Sequence, residues 1–329
     1  MRPLIIVLVA LVGYGSLAAV EVRNKGAKMS ETEDINADSL LAEADRLFQH
    51  REFDSALEQY NAAVETARSD FNRPVETEAL AQVARIYLKN GNKEDGRKFL
   101  DEAGLKASDS DPMGWSRYLG VRGRYEWQDK DLVKARATFD TMYVYCNTNA
   151  LWGRAVDAAN MISIVAETAE EQIEWSRRGI EAAEAGGVES WLGPLWNNLG
   201  ATYFDMKQFD SALPAFIKAR EYHWQFSGEI AKLYADYHVG MAYRHLGHLE
   251  KAGQWLRPVL AWAERLGDHS AIGQACEDLG EIAIADGRRT EGLALLKRAR
   301  DEYKAAGFDE SWKEVLDGIN QRLKDLEND

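Results

Sequence analysis

The chain has 329 residues, of which 46% are hydrophobic and 29% charged, with six prolines and only two cysteines. That balance excludes a disordered polymer and a disulfide framework, and the richness in Ala, Leu, Glu, Lys and Arg favours helices. A formal charge of −14 argues against a general nucleic-acid binder, whose affinity comes from Lys and Arg neutralising phosphates, and against docking of a whole face on anionic lipid.

From Pro3 to Val20 no residue is charged, and Leu4–Val12 reads LIIVLVALV. Three readings compete for residues 1–20. A secretory signal fits Arg2, the apolar run and the small residues at Ser16–Ala19. A single-pass anchor needs a longer apolar run than a signal does, and this one is at the short edge. Third, Met29 opens MSETEDINADSLL, which looks like the start of a soluble protein. The expectation is membrane association by one N-terminal helix, the alternatives being export after cleavage, or a cytoplasmic protein starting at Met29. Arg23, Lys25 and Lys28 would hold the rest of the chain in the cytoplasm if the segment is retained. Gly13-Tyr-Gly15-Ser-Leu-Ala18 matches a dinucleotide-binding turn, but a charged linker over 21–36 follows it, without a βαβ unit.

From residue 37 the chain repeats itself. Ala44, Phe53, Ala56, Tyr60 and Ala63 mark a first helical hairpin, and Ala84, Tyr87, Gly91, Gly96, Leu100 and Ala103 a second. Gly123, Leu132, Ala135, Phe139 and Met142 mark the third, and Asn160, Gln172 and Gly179 a weaker fourth. The fifth is the clearest: Trp196-Asn-Asn-Leu199-Gly200-Ala-Thr-Tyr203, then Phe209, Ala212, Phe216 and Ala219. The sixth carries Val239-Gly240, Tyr243, Gly247, Ala252, Leu256 and Val259, and the seventh Leu279-Gly280, Ala283, Gly287, Gly292, Leu296 and Ala299. The small residue of each second helix falls at Ala56, Gly96, Ala135, Gln172, Ala212, Ala252 and Gly292, in steps of 40, 39, 37, 40, 40 and 40.

The fifth hairpin reads W-x2-L-G-x2-Y … A-x3-F-x2-A, so the chain resembles the tetratricopeptide-repeat family over about 37–306, with a period longer than that family's usual ~34 residues. The resemblance implies an all-α, right-handed α-solenoid of about seven hairpins over 37–308, and binding of protein or peptide as a class. Glu310–Leu326 reads as an amphipathic helix, so 309–329 should cap the open end. Gly187, Gly228, Gly267 and Gly307 fall where second helices should end and are expected in the left-handed conformation. Pro74, Pro112 and Pro194 stand where first helices should begin, whereas Pro258 falls inside a second helix. Cys146 and Cys276 read as small buried thiols.

In this family ligands lie in a groove lined by the first helices. Projecting the register places Arg85 and Lys89 there in the second hairpin, Arg154 and Met161 in the fourth, and Asn197, Ala201 and Phe204 in the fifth. The sixth contributes Tyr234, Tyr237, Met241, Arg244 and His245, and Arg117 and Arg124 join from the third. Arginine and tyrosine on one face of an acidic chain suit an extended segment carrying carboxylates; the competing reading is that these are ordinary solvated helix residues. The family's Lys/Asn clamp for chaperone tails is missing, since Leu41, Asp45 and Gln82 stand at its places. His238, His245 and His248 cluster, but no spaced carboxylate or cysteine completes a metal site. Trp175, Trp196 and Trp255 fall at packing positions. No nucleophile elbow, phosphate loop, HExxH or kinase set occurs, so neither catalysis nor a cofactor is expected.

Overall fold

A computed structural model describes residues 36–328, and these contain helices without a strand. The apolar segment, its glycine decoy and all of the linker but Asn36 lie outside them. Among the described residues, no helix is long and apolar enough to cross a membrane. The described residues divide into two compact units, 36–195 and 196–328, each taken here by itself.

The first unit stacks four hairpins: α1 (Ala37–Gln49) with α2 (Phe53–Ser69), α3 (Arg73–Lys89) with α4 (Lys93–Lys106), α5 (Pro112–Gln128) with α6 (Leu132–Thr148), and α7 (Trp152–Val165) with α8 (Ala169–Ala185). The second holds α9 (Leu192–Asp205) from Trp196 onward, followed by α10 (Phe209–Phe226), α11 (Glu229–His245), α12 (Leu249–Leu266), α13 (His269–Ala285) and α14 (Arg289–Ala305). A short α15 (Phe308–Ser311) and α16 (Lys313–Asn328) follow. Helix α16 buries Val315, Leu316, Ile319, Leu323 and Leu326 against α14 and α15, which makes it the expected cap.

The spacing of small residues explains the pairing. A Cβ placed on Gly200 would come 2.6 Å from the Phe216 ring, and one on Gly123 the same distance from Phe139. Only glycine lets the first helix come this near the aromatic residue of the second, and the buried ring then fills the seam. The second-helix starts keep the sequence register even in the weak fourth hairpin, where Gln172 is the fourth residue of α8 and half-buried.

Turns are tight and recur with the same period. Gly91, Gly247 and Gly287 take positive φ between the two helices of a hairpin, and Arg51, Lys130 and Lys207 do so at the equivalent points of others. Between hairpins, Gly187, Gly267 and Gly307 are left-handed as expected. Gly228 is not. It has φ −73° and ψ 173° and precedes α11 as an extended N-terminal cap, because α10 runs to Phe226 and leaves through an extended Ser227 instead of a left-handed turn. Asn72 and Asp111 cap the first turns that contain Pro74 and Pro112. Pro258 lies inside α12 as expected, and Pro214 does the same inside α10, a second interior proline that the repeat pattern had concealed. Both cysteines are buried free thiols.

Candidate partner-binding faces

The exposed-groove expectation needs revising residue by residue, since most of the projected positions are covered by their own neighbours. In the first unit, the first helices pack directly on one another, α3 on α5 above all. Their shared face carries charge. Arg117 and Arg154 are buried, 9% and 8% exposed, each held by carboxylates from other hairpins. Arg117 donates from Nη2 to Asp45 Oδ2 at 2.9 Å and faces Glu78 Oε2 at 3.7 Å. Arg154 donates to Glu78 Oε2 at 2.6 Å, to Ser116 Oγ at 2.6 Å and to the Met113 carbonyl. Arg124 donates to Asp157 Oδ1 at 2.6 Å and to the Gly120 carbonyl at 2.9 Å.

Two of these pairs skip a hairpin: Asp45 on α1 reaches Arg117 on α5, and Glu78 on α3 reaches Arg154 on α7. In a linear repeat array each unit touches only its neighbours. Here the face is drawn together closely enough for next-nearest hairpins to share ion pairs. Tyr60 Oη at 2.5 Å and Gln82 Nε2 at 3.1 Å also donate to Asp45 Oδ1. Burial opposes the charge of Asp45, yet Arg117, Tyr60 and Gln82 outweigh it and hold its pKa below the usual carboxylate range. Asp157 behaves alike, with burial overcome by Arg124 and Arg85. Arg85 is half-buried with its guanidinium 4.9 Å from the Phe48 ring centre. Desolvation and the neighbouring Arg124 pull its pKa down to about 9. Lys89 is exposed, 4.3 Å over Phe53, and Met161 is buried.

The second unit presents aromatic rings and imidazoles instead. Asn197, Ala201, Phe204, Tyr234, Tyr237 and Met241 are all buried, so they pack the unit before they can meet anything else. His238 Nδ1 donates to Asn197 Oδ1 at 2.7 Å, with its ring 5.1 Å from Phe216. Desolvation takes its pKa to about 3 and that of His223 to about 4, so both imidazoles are neutral. Tyr234 Oη lies 3.3 Å from Asp268 Oδ2. Arg244 forms an ion pair with the buried Asp278, Nε to Oδ1 at 2.5 Å, whose angles leave Nε without an aligned hydrogen bond. His245 is exposed, accepts from Arg244 Nη2 at 2.7 Å and lies edge-on to Phe204 at 4.7 Å. The three-histidine cluster therefore shares no common point, and among the described residues no group of three or more His, Cys, Asp or Glu is placed to hold a metal.

Sequence reasoning found the arginines and overlooked Glu78, Asp157 and Asp278. A signal existed. Glu78, Arg117 and Arg154 follow one another at steps of 39 and 37, and Asp45, Arg85 and Arg124 at 40 and 39, matching the steps of the repeat itself. Charges in the same register of successive hairpins form rows on one face.

Family models described as tetratricopeptide repeat match residues 41–112 and 193–221. No curated protein matches the chain in sequence. Solved structures match its fold. One is a Signal Transduction ATPase with Numerous Domains carrying a tetratricopeptide-repeat sensor, from Pyrococcus horikoshii, at TM-score 0.70 and 16% identity. The match covers 87% of this chain and 44% of that one, so this chain spans less than half its length. The apo form of RapI matches at TM-score 0.68 and 13% identity, over 82% of this chain and 77% of that one. A Rap protein complexed with competence and sporulation factor matches at TM-score 0.54 and 14% identity, over 88% and 87%.

Proposed function

Because the chain belongs to the tetratricopeptide-repeat family, we propose that it is a non-catalytic scaffold that binds a segment of a partner protein along the face of its first helices. The observation that supports this most is that partly accessible arginines stand on the first helices of each unit, Arg85 and Arg124 in the first and Arg244 in the second, in a chain whose net charge is −14. A planar guanidinium pairs with a carboxylate in two-pronged fashion, which gives direction as well as attraction. The uncharged stretch Pro3–Val20 supports a tether to a membrane through the N-terminal segment alone, and alkaline carbonate extraction of membranes bearing the full chain should retain it. Release would remove the tether and leave the scaffold reading intact.

The scaffold is tested with a photo-crosslinking residue placed at His245 or Arg85, on the proposed face, and at Arg178, exposed on α8 away from it. A protein should crosslink in cells from one or other of these first-helix positions and not from Arg178. Capture from Arg178 alone would overturn the assignment.

A second reading, a peptide-responsive regulator, draws on the ion pairs that skip a hairpin. A carboxylate-bearing ligand would compete for Arg117 and Arg154 and loosen the contacts that draw α1, α3, α5 and α7 together. The Rap protein complexed with competence and sporulation factor has a similar fold and holds a bound factor.

A further inference from the structure

Four charges, one from each hairpin of the first unit, form a single chain of contacts on the first-helix face. Asp45 of α1 pairs with Arg117 of α5 at 2.9 Å, and Arg117 stands 3.7 Å from Glu78 of α3. Glu78 in turn pairs with Arg154 of α7 at 2.6 Å. The four side chains are between 3% and 17% exposed, so salt and water screen these contacts little. From α1 to α7 the order of signs is acid, acid, base, base.

That order restricts the pairing. Helices α1 and α3 bring like charges to this network, and so do α5 and α7, so neither couple of neighbours can attract through it. The attractions left are the central one, α3 with α5, and the two that skip a hairpin. An order of acid, base, acid, base would pair every hairpin with its neighbour and ask nothing of more distant ones. Other ion pairs between first helices are of that neighbourly kind. Arg124 and Asp157 join α5 and α7 at 2.6 Å, and in the second unit Arg244 and Asp278 join α11 and α13. The reach towards α1 is visible at Arg117 itself. Its Nη2 bonds Asp45, while its Nε, without a hydrogen-bond partner, falls short of Glu78 on the adjacent hairpin. The seams do other work: Gly123 meets Phe139 inside one hairpin, which fixes how its two helices pair.

We propose that this order of signs is a closing device, which draws α1 to α5 and α3 to α7 and so sets how tightly the first-helix face of the first unit closes. Buried ion pairs suit the task. They add little net stability over an apolar pair, yet any arrangement that parts them leaves a charge buried without its partner and is strongly disfavoured. The inference concerns the face itself and holds whatever segment binds there.

The test exchanges the two middle signs. Glu78→Arg combined with Arg117→Glu keeps the number of each charge but makes the order acid, base, acid, base, so that Asp45 meets position 78 and Arg154 meets position 117. The distance from α1 to α5 is read in the full chain by double electron–electron resonance, between spin labels on Ala42→Cys and Arg122→Cys. Both positions are exposed, whereas the native Cys146 and Cys276 are buried away from the label. The exchanged variant should stay folded, with its mean distance longer than that of the unexchanged chain by more than the width of that chain's distribution. An unchanged distance in the folded variant would overturn the proposal, because packing at the seams would then set the closure and the ion pairs merely follow it. Where the exchange does not fold, Asp45→Asn serves. It keeps an acceptor for Tyr60 and Gln82 and leaves Arg117 beside Glu78, and the distance should lengthen by a smaller amount. No lengthening there would count equally against the device. Asp157→Asn, which breaks the pair between neighbours α5 and α7, should leave the α1–α5 distance as it was. Equal lengthening in that variant would mean general loosening of the unit, and would also overturn the proposal.

Discussion

The two units use one hairpin design and fill its inner register with different chemistry. In the first, the face of the first helices is a lattice of arginine and carboxylate, Asp45–Arg117 and Glu78–Arg154 above all. In the second, the equivalent rows hold Asn197, Tyr234, Tyr237 and His238, packed around Phe216 and Phe204. What the contrast teaches is that the repeat dictates size and spacing at its seams, where Gly123 meets Phe139 and Gly200 meets Phe216 alike. It leaves the chemistry of the remaining face free. A charged face depends on pairing, because a lone buried ion costs far more than a pair gains. An aromatic face depends on volume and on keeping its imidazoles neutral.

The largest way to break the comparison is to unpair the first unit. Arg154→Met leaves the Glu78 carboxylate, itself 2% exposed, with only the more distant Arg117, and should cost about 3–5 kcal/mol in urea unfolding. Glu78→Met added to it should return most of that loss, since two apolar groups replace a pair. If the double variant were as unstable as the single one, the lattice would matter for shape and not for charge.

Acid should separate the units next. His223 and His238 hold pKa values of about 4 and about 3, below the unfolded value near 6.5, so the unfolded chain takes up their protons first. The stability they permit is complete above that pH and falls as the pH drops towards 4. At pH 5 the loss should be about 2 kcal/mol for each histidine, read as faster hydrogen exchange in α10 and α11. In the first unit Asp45 and Asp157 have depressed pKa values instead, so the first helices they join should keep their protection until the pH nears 4 or below. Equal loss in both units at pH 5 would contradict the contrast. The variant with His223→Gln and His238→Gln should show neither effect.

The smallest test lies at the turns that both units share. Phe71 occupies a left-handed turn between hairpins at φ 54° and is 93% exposed, at a point where Gly187, Gly267 and Gly307 stand elsewhere. Phe71→Gly should raise stability by about 0.5 kcal/mol, strain relief slightly exceeding the added freedom of the unfolded chain. A drop in the melting temperature would instead mean that the exposed ring makes a contact worth keeping.

Helix identity, hairpin pairing and the positions of the seams were fixed by sequence, because steric demand repeats: Ala56, Ala135, Ala212 and Ala252 are all fully buried where the register put them. The C-terminal cap was legible for the same reason, as one apolar face along α16. The left-handed turns were legible only where glycine marked them, so Phe71 and Ala150 escaped notice and Gly228 was misread as one. The arginines of the candidate face were visible as residue types at groove positions. Their partners were not, because Asp45 and Arg117 lie 72 residues apart and meet only when first helices close on one another. Whether a position at the right register is open to a ligand or filled by a neighbour is a question of how tightly hairpins pack. That is set by many side chains at once, and tertiary structure alone decided it: Tyr237 and Phe204 went inside, and Arg85 and His245 kept a way out.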